Sequence, residues 1–346
     1  MTWIITVLVV LLMMGCDDVL IPNVPIIEQP ITDTEDALID PNYERLFSNS
    51  SRKSITIELT KSEYQRLDDM MVEHHQRFGD YRISDYVRSN IIYEDDQGIL
   101  RMNQVGFRTR GNLSRNRIQD DEGNIIINHY KLKFDETFNG TLDVSKRFLF
   151  GLEELDLKYN RNYDETYMNE HYAMEMYRSF GIYAQRTTHI MVYLKIDERI
   201  YSMGLYTAFE PMDQTFIERR FEGTHAEGDL YKSLWQQFGP ATLTMPNQIE
   251  AIGIKDTSIN YRPAYDLKTN KNTSTHTALL TFMEAMEFDL AARKQFISTY
   301  VDISYTAMFF AVSLIIGNPD DIRGNGNNYY LYIDPVQNMY YLMPYD

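Results

Sequence analysis

The chain has 346 residues, 44% of them hydrophobic and 24% charged, with a formal net charge of −17. That length holds one large domain or two lobes sharing a core, the composition is that of a globular protein, and the acidity argues against a duplex nucleic-acid partner, which needs a basic surface. Seven histidines and one cysteine show no HExxH or Cys/His spacing, so no zinc site is expected, and 26 tyrosines, many in strand-like runs, point to a Tyr-rich sheet.

The chain opens with an apolar run, Trp3 to Met14, followed by Gly15, Cys16 and then Asp17 and Asp18. This order resembles the export signal of a bacterial lipoprotein over residues 1–16. Cys16 would then be the lipidated first residue of the mature chain and its membrane anchor. The run is shorter than the roughly 20 apolar residues of a membrane span, and no Lys or Arg precedes it. With a single cysteine no internal disulfide can form. Residues 17–50 are acidic and Pro-bearing, without a sustained period, and read as a tether to a domain covering 51–346.

Ser54–Leu59 alternates as a strand. Thr60 then caps a helix from Lys61 to about His75, with Glu63 placed for a capping box. Tyr86–Tyr93 and Ile99–Arg108 read as strands joined by the Asp95-Asp96-Gln97-Gly98 turn, and His129–Phe134 as another. Tyr163 to Phe180 is helical, stopped by Gly181. Thr188–Ile196 and Ile200–Phe209 make a hairpin. A short helix from Met212 to Arg220 and a strand Gly228–Ser233 follow. Residues from 234 to about 275 are polar and irregular. Thr277–Phe288, Leu290–Tyr300 and Ser304–Ile316 read as consecutive helices, and Tyr329–Ile333 with Tyr340–Met343 as a closing hairpin. Strands first and helices later predict an α+β protein: a sheet-rich N-terminal part and a helical C-terminal part closed by that hairpin.

Three stretches carry candidate chemistry. In Val105–Ser114 a strand runs into Arg110-Gly111-Asn112. Gly111 permits a left-handed turn and lets backbone approach a ligand, and exposed N–H groups beside an Arg suit an anion. Lys131 and Lys133 share one strand face, with Tyr130, Leu132 and Phe134 on the other. The Gly317–Asp346 stretch places Asp320 and Asp321 before an Asn-rich loop ending at Asn327 and Asn328, and Asp346 after the hairpin. Two carboxylates and an amide brought together suit Mg²⁺, with one acid left to accept a proton. Taken singly, each stretch also reads as an ordinary turn or a solvated face.

Together they resemble the CotH kinase family, named for spore coat protein H, from about Ile55 to Asp346. The matching pieces run in the family's order: ITIELTKSEYQRL, VGFRTRGNLS, HYKLKFD, LEELDLKYNRNYDETYMNEHYAMEMY, MVYLKIDERIYSMGLYTAFEPMDQTFIERRF, GDLYK, YDLKTN, GNPDD…NNYYLY and MPYD. The resemblance implies a two-lobed, atypical protein-kinase-like fold that transfers the γ-phosphoryl group of ATP, with Mg²⁺, to Ser or Thr of a protein. It implies that Arg110, Gly111, Asn112 and Ser114 line the phosphates and that Lys131 or Lys133 neutralises them. Glu170 would pair with that lysine, and Glu210 would sit at a hinge near the nucleotide base. Asp320, with Asp321 as the alternative, would be the base, and Asn328 and Asp346 would hold metal. Where the family has Pro-Trp-Asp and a further acid, this sequence has Pro344-Tyr345-Asp346 as its last residues, so the domain's C-terminal end is expected to be incomplete.

The function these readings imply is an envelope-anchored kinase acting on surface, secreted or coat proteins, outside the cytoplasm. The alternative is a non-catalytic surface, adhesion or coat-assembly protein that keeps the fold.

Overall fold

The computed structural model describes residues 38–39, 42–49, 51–112, 114–141, 143–160 and 164–345. Cys16 and Asp346 therefore lie outside the described residues. Strand β1 (Leu38–Ile39) and helix α1 (Tyr43–Phe47) precede the first long strand. The Asn42 side chain caps α1 by accepting from Arg45 N at 3.1 Å. Leu46 and Phe47 are buried with the core that follows, and Arg45 grips Asp95 through two bonds of 2.8 Å. Folded structure thus reaches back to Leu38, ahead of the expected boundary at 51. Two apolar side chains in a polar stretch are too weak a pattern to reveal this from sequence.

The β2 strand (Ser54–Leu59) alternates as expected, and α2 (Lys61–Phe78) follows. Thr60 Oγ1 accepts from Glu63 N at 3.1 Å, which is half of the expected capping box. The Glu63 carboxylate instead accepts from Arg66 and from Arg88 N. Next come β3 (Val87–Asp95), β4 (Gly98–Arg110), β5 (His129–Lys133), β6 (Phe148–Leu149), which pairs with β1, and β7 (Glu154–Tyr159). Helix α3 (Asn169–Ser179) starts later than expected, and β8 (Thr187–Ile196) and β9 (Arg199–Phe209) form the anticipated hairpin.

Seven strands close a barrel in the order β2-β3-β4-β5-β7-β9-β8, with β2 and β8 parallel and the other neighbours antiparallel. Closure removes both sheet edges. The interior takes every second side chain: Ile55, Ile57, Phe107, Tyr130, Leu132, Leu155, Leu157 and Val192 are fully buried. The strand β7 escaped the sequence reading because its apolar residues, Leu155 and Leu157, stand among acids and a lysine.

After α4 (Gln214–Glu218) come β10 (Asp229–Ser233), β11 (Ile252–Gly253) and β12 (Tyr265–Leu267). They are followed by α5 (Thr277–Met286), α6 (Leu290–Tyr300), α7 (Ile303–Ile315), α8 (Ile322–Asn325), β13 (Tyr329–Asp334) and β14 (Met339–Pro344). The strands form one sheet in the order β11-β12-β10-β13-β14. The protein is α+β, but the C-terminal part is not simply helical. The closing hairpin extends a five-stranded sheet, two strands of which lie in the stretch that read as irregular. Tyr329, Leu331 and Ile333 enter a core with Phe282, Phe309 and Leu342, while Tyr330 and Tyr332 enter another with Phe216, Phe221 and Met343. That two-sided burial explains the aromatic run YYLYI.

Candidate active site

The barrel and the second sheet meet along a seam of charge. One cross-strand row on the outer barrel face carries Arg108 on β4, Lys131 on β5 and Asp156 on β7. Lys131 pairs with Glu154 and lies 3.3 Å from Asp156, while Arg110, two residues beyond Arg108, lies 3.2 Å from Asp156. Burial alone would raise the Asp156 pKa, but Arg110, Lys131 and Lys232 outweigh it and pull it down to about 2. Burial likewise opposes charge on Lys131, yet Asp156 and Glu154 raise it above the ordinary lysine range.

From the second sheet, Lys232 on β10 faces this row, flanked in register by Asp266 on β12 and Tyr330 on β13. Its ammonium lies 3.5 Å from the centre of the Tyr345 ring, a cation–π contact, and the Tyr345 hydroxyl accepts from Arg110 at 3.4 Å. Lys268 is paired with Asp266. Desolvation, then the neighbouring cations Lys268 and Arg110, push Lys232 well below the usual lysine pKa, and Asp156 and Asp266 only partly oppose them. Burial and neighbouring cations, which together disfavour the charge on Lys232, would favour an anion placed beside it.

The acid end lies at the adjoining edge of the sheet. Asp320 accepts from Asn327 at 3.0 Å, from Asn328 at 2.9 Å and also from Asn325. Its backbone N–H donates to Asn318 Oδ1 at 3.1 Å. Asn327 Oδ1 in turn accepts from Trp235 N at 2.7 Å, which ties the loop to the end of β10. The register Tyr329↔Pro344 sets Asn328 beside Tyr345, so the Asp320 cage and the cation seam share one end of the sheet. Asp321 is the opposite case. Only 3% exposed, it caps α8 through Arg323 N at 2.8 Å and Gly324 N at 3.2 Å, and accepts from Ser313 and Arg323. Burial would raise its pKa, but these donors hold it low. The geometry makes Asp321 a structural cap, and of the two acids Asp320 is the one presented in the loop.

In the Arg110–Ser114 turn, Gly111 has φ +117°, a conformation that favours glycine, and a Cβ there would come within 2.6 Å of Ser114 Oγ, so that hydroxyl would have to turn aside. Asn112 accepts from Arg82 at 2.6 Å, which anchors the turn to the segment before β3. Three further expectations need correction. Lys133 turns away from the seam to Asp135 and Glu136, leaving Lys131 as the strand lysine there. Glu170, at the start of α3, pairs with Lys158 on β7 and not with Lys131 or Lys133. Glu210 is fully buried and bonded to Arg220 at 2.6 Å and to Arg186 N at 3.0 Å, while its backbone N–H donates to Arg186 O. A carboxylate wholly out of water must be paired, so Glu210 locks the strand exit instead of facing a ligand.

Sequence reasoning missed Asp156, Lys158 and Lys232. The first two sit on β7, whose alternation would have placed Glu154, Asp156 and Lys158 on one face had the strand been recognised. Among the described residues no group of three or more His, Cys, Asp or Glu is arranged to hold a metal. Mg²⁺ is nonetheless compatible with the Asp320 loop. The side-chain oxygen of Asn325, whose amide nitrogen donates to Asp320, is buried there without a hydrogen-bond partner, and is a hard oxygen donor of the kind Mg²⁺ takes.

A seam of cations at the same end of the sheet as a caged carboxylate is an arrangement that suits a bound anion. The family model for CotH kinase protein matches residues 107–346, and the chain belongs to that family. The match takes in the Arg110 turn, β5, β7, α3, the whole second sheet and the Asp320 loop. No curated protein matches the chain.

Proposed function

We propose that this protein is an atypical, two-lobed protein kinase, its barrel acting as one lobe and the five-stranded sheet with its helices as the other. It would transfer the γ-phosphoryl group of ATP to a Ser or Thr hydroxyl of a surface, secreted or coat protein, from an envelope position set by lipidated Cys16. The observation that carries the reading is the seam itself: Arg110, Lys131, Lys232 and Lys268 converge in a chain whose net charge is −17. Polyphosphate is the ligand such a concentration of cations suits.

Each residue then has a task. Arg110, Lys131 and Lys232 bind phosphate oxygens, and the Gly111 turn brings backbone N–H groups to them. Lys158 and Glu170 form the strand-lysine, helix-acid pair by which kinases align these parts. Asp320 has room for one more hydrogen bond after its three amide partners, and it orients and deprotonates the acceptor hydroxyl. Asn328 and Asp346 hold Mg²⁺, which when bound neutralises charge developing on the transferred phosphoryl group.

The test is incubation of the full chain with γ-labelled ATP and Mg²⁺, alone and with a generic protein acceptor. Label should reach phosphoserine or phosphothreonine in the wild type. Asp320→Ala should abolish transfer while nucleotide binding persists, and Asp346→Ala should weaken Mg²⁺-dependent binding as well. Nucleotide bound without any label transfer would overturn the kinase reading in favour of a non-catalytic coat or adhesion role.

A further inference from the structure

The second sheet has another end, and it carries a different chemistry. A pocket of about 760 Å³ opens where β10 begins and β13 ends, walled by the loop after β12 and by α5 and α6. The ladder from Asp229↔Ile333 to Ser233↔Tyr329 separates it from the Asp320 end. Four residue steps are about 13 Å, so the two sites flank one sheet.

Among the described residues its lining includes no lysine or arginine. Three carboxylates border it: Glu227, Asp229 and Glu284. Among the described residues, those that donate to the Asp229 carboxylate are neutral: Asn270 at 3.0 Å, Tyr231 at 3.1 Å and Ser274. None of the three has an ion-pair partner among the described residues. Lys271, although part of the same loop, has its electrostatic neighbours on the other side, in Lys268, Asp266, Glu154 and Lys133. The opposite wall is aromatic. Phe296 packs against Tyr340 and Tyr300, and Phe288 stands 48% exposed at the rim. Thr273, Ser274, Thr275, Thr277 and Thr281 also line it.

We propose that this pocket binds a polypeptide segment carrying lysine or arginine beside apolar residues. Uncompensated carboxylates attract the cation, and aromatic faces receive both its charge and the apolar neighbours. A nucleotide or other phosphate is repelled by the same acids, so the pocket is no second nucleotide site. The proposal stands apart from phosphoryl transfer. If both hold, a protein acceptor would be gripped here while its hydroxyl is presented at the seam.

The experiment is fluorescence anisotropy on the full chain with a labelled short lysine–leucine peptide, its glutamate–leucine counterpart, and a labelled neutral oligosaccharide. ATP binding is measured on the same preparations. The lysine peptide should bind best and weaken with salt. Glu227→Lys/Glu284→Lys, two exposed positions, should weaken it about tenfold or more, and Glu227→Gln/Glu284→Gln by less, with ATP affinity unchanged. Equal binding of the two peptides, lysine-peptide binding indifferent to the charge reversal, or preference for the oligosaccharide overturns the proposal. Loss of ATP binding in the wild type bears on the kinase reading alone.

Discussion

At the scale of single residues the structure separates neighbours that look alike in sequence. Asp320 and Asp321 are adjacent, yet one is caged by side-chain amides and the other buried as a helix cap. Removing Asp321 leaves Arg323 and two backbone N–H groups without their acceptor. Asp321→Ala should therefore cost about 2 kcal/mol or more in a denaturant titration, and Asp320→Ala less, because the three side-chain amides it frees are only partly buried. Comparable stability losses in both would undo this division of labour. Glu153 offers a second contrast. Burial, then the nearby Asp213, Asp135 and Glu154, raises its pKa to about 7, against a weaker opposing pull from Lys133. A carboxyl protonated in the fold but ionised when unfolded loses stability as pH rises from about 4.5 toward 7. Glu153→Gln should raise Tm relative to wild type at pH 8, and the gain should vanish near pH 5. A gain of the same size at both pH values would mean that Glu153 is not protonated in the fold.

At the scale of elements, the phosphate turn depends on one backbone conformation. The φ of +117° at Gly111 is outside what a side chain tolerates, and a Cβ would also strike Ser114 Oγ. Gly111→Ala should cost about 1–3 kcal/mol and weaken nucleotide binding. Adding Ser114→Ala should relieve the clash but not the dihedral, so nucleotide affinity should recover only in part, as a titration would show. Most elements were legible because their patterns were long or sharply bounded: β2 and α6 occupy the residues the sequence predicts, Ser54–Leu59 and Leu290–Tyr300. What was not legible shares a physical cause. The strands β7, β11 and β12 are short or interrupted by charge, and each is held by pairing with distant strands, which no local pattern reports. The Arg110 turn and the Asp320 loop could be read because Gly, Asn and Asp advertise their turns. Lys158 and Lys232 could not, because a lysine acquires meaning only from the acid or ring that folding brings to it.

At the scale of the molecule, the seam is where two separately cored bodies touch, and both contribute charges to it. The barrel contributes Arg110, Lys131 and Asp156, and the second sheet contributes Lys232, Asp266 and Tyr345. An anion held there would contact both bodies at once and would stabilise the whole fold through binding linkage. At a ligand concentration of 100 times Kd this amounts to about 2.7 kcal/mol. Because the attraction is to phosphate charge, ATP, ADP and inorganic tripolyphosphate should each raise Tm, while adenosine at equal concentration should not. Lys232→Met should abolish most of that rise, since it removes a cation that would otherwise face the ligand's charge. Added salt should shrink the rise as screening sets in. A Tm shift produced equally by adenosine, or one that survives Lys232→Met, would place the ligand's energy in the base and remove the seam from the account of binding.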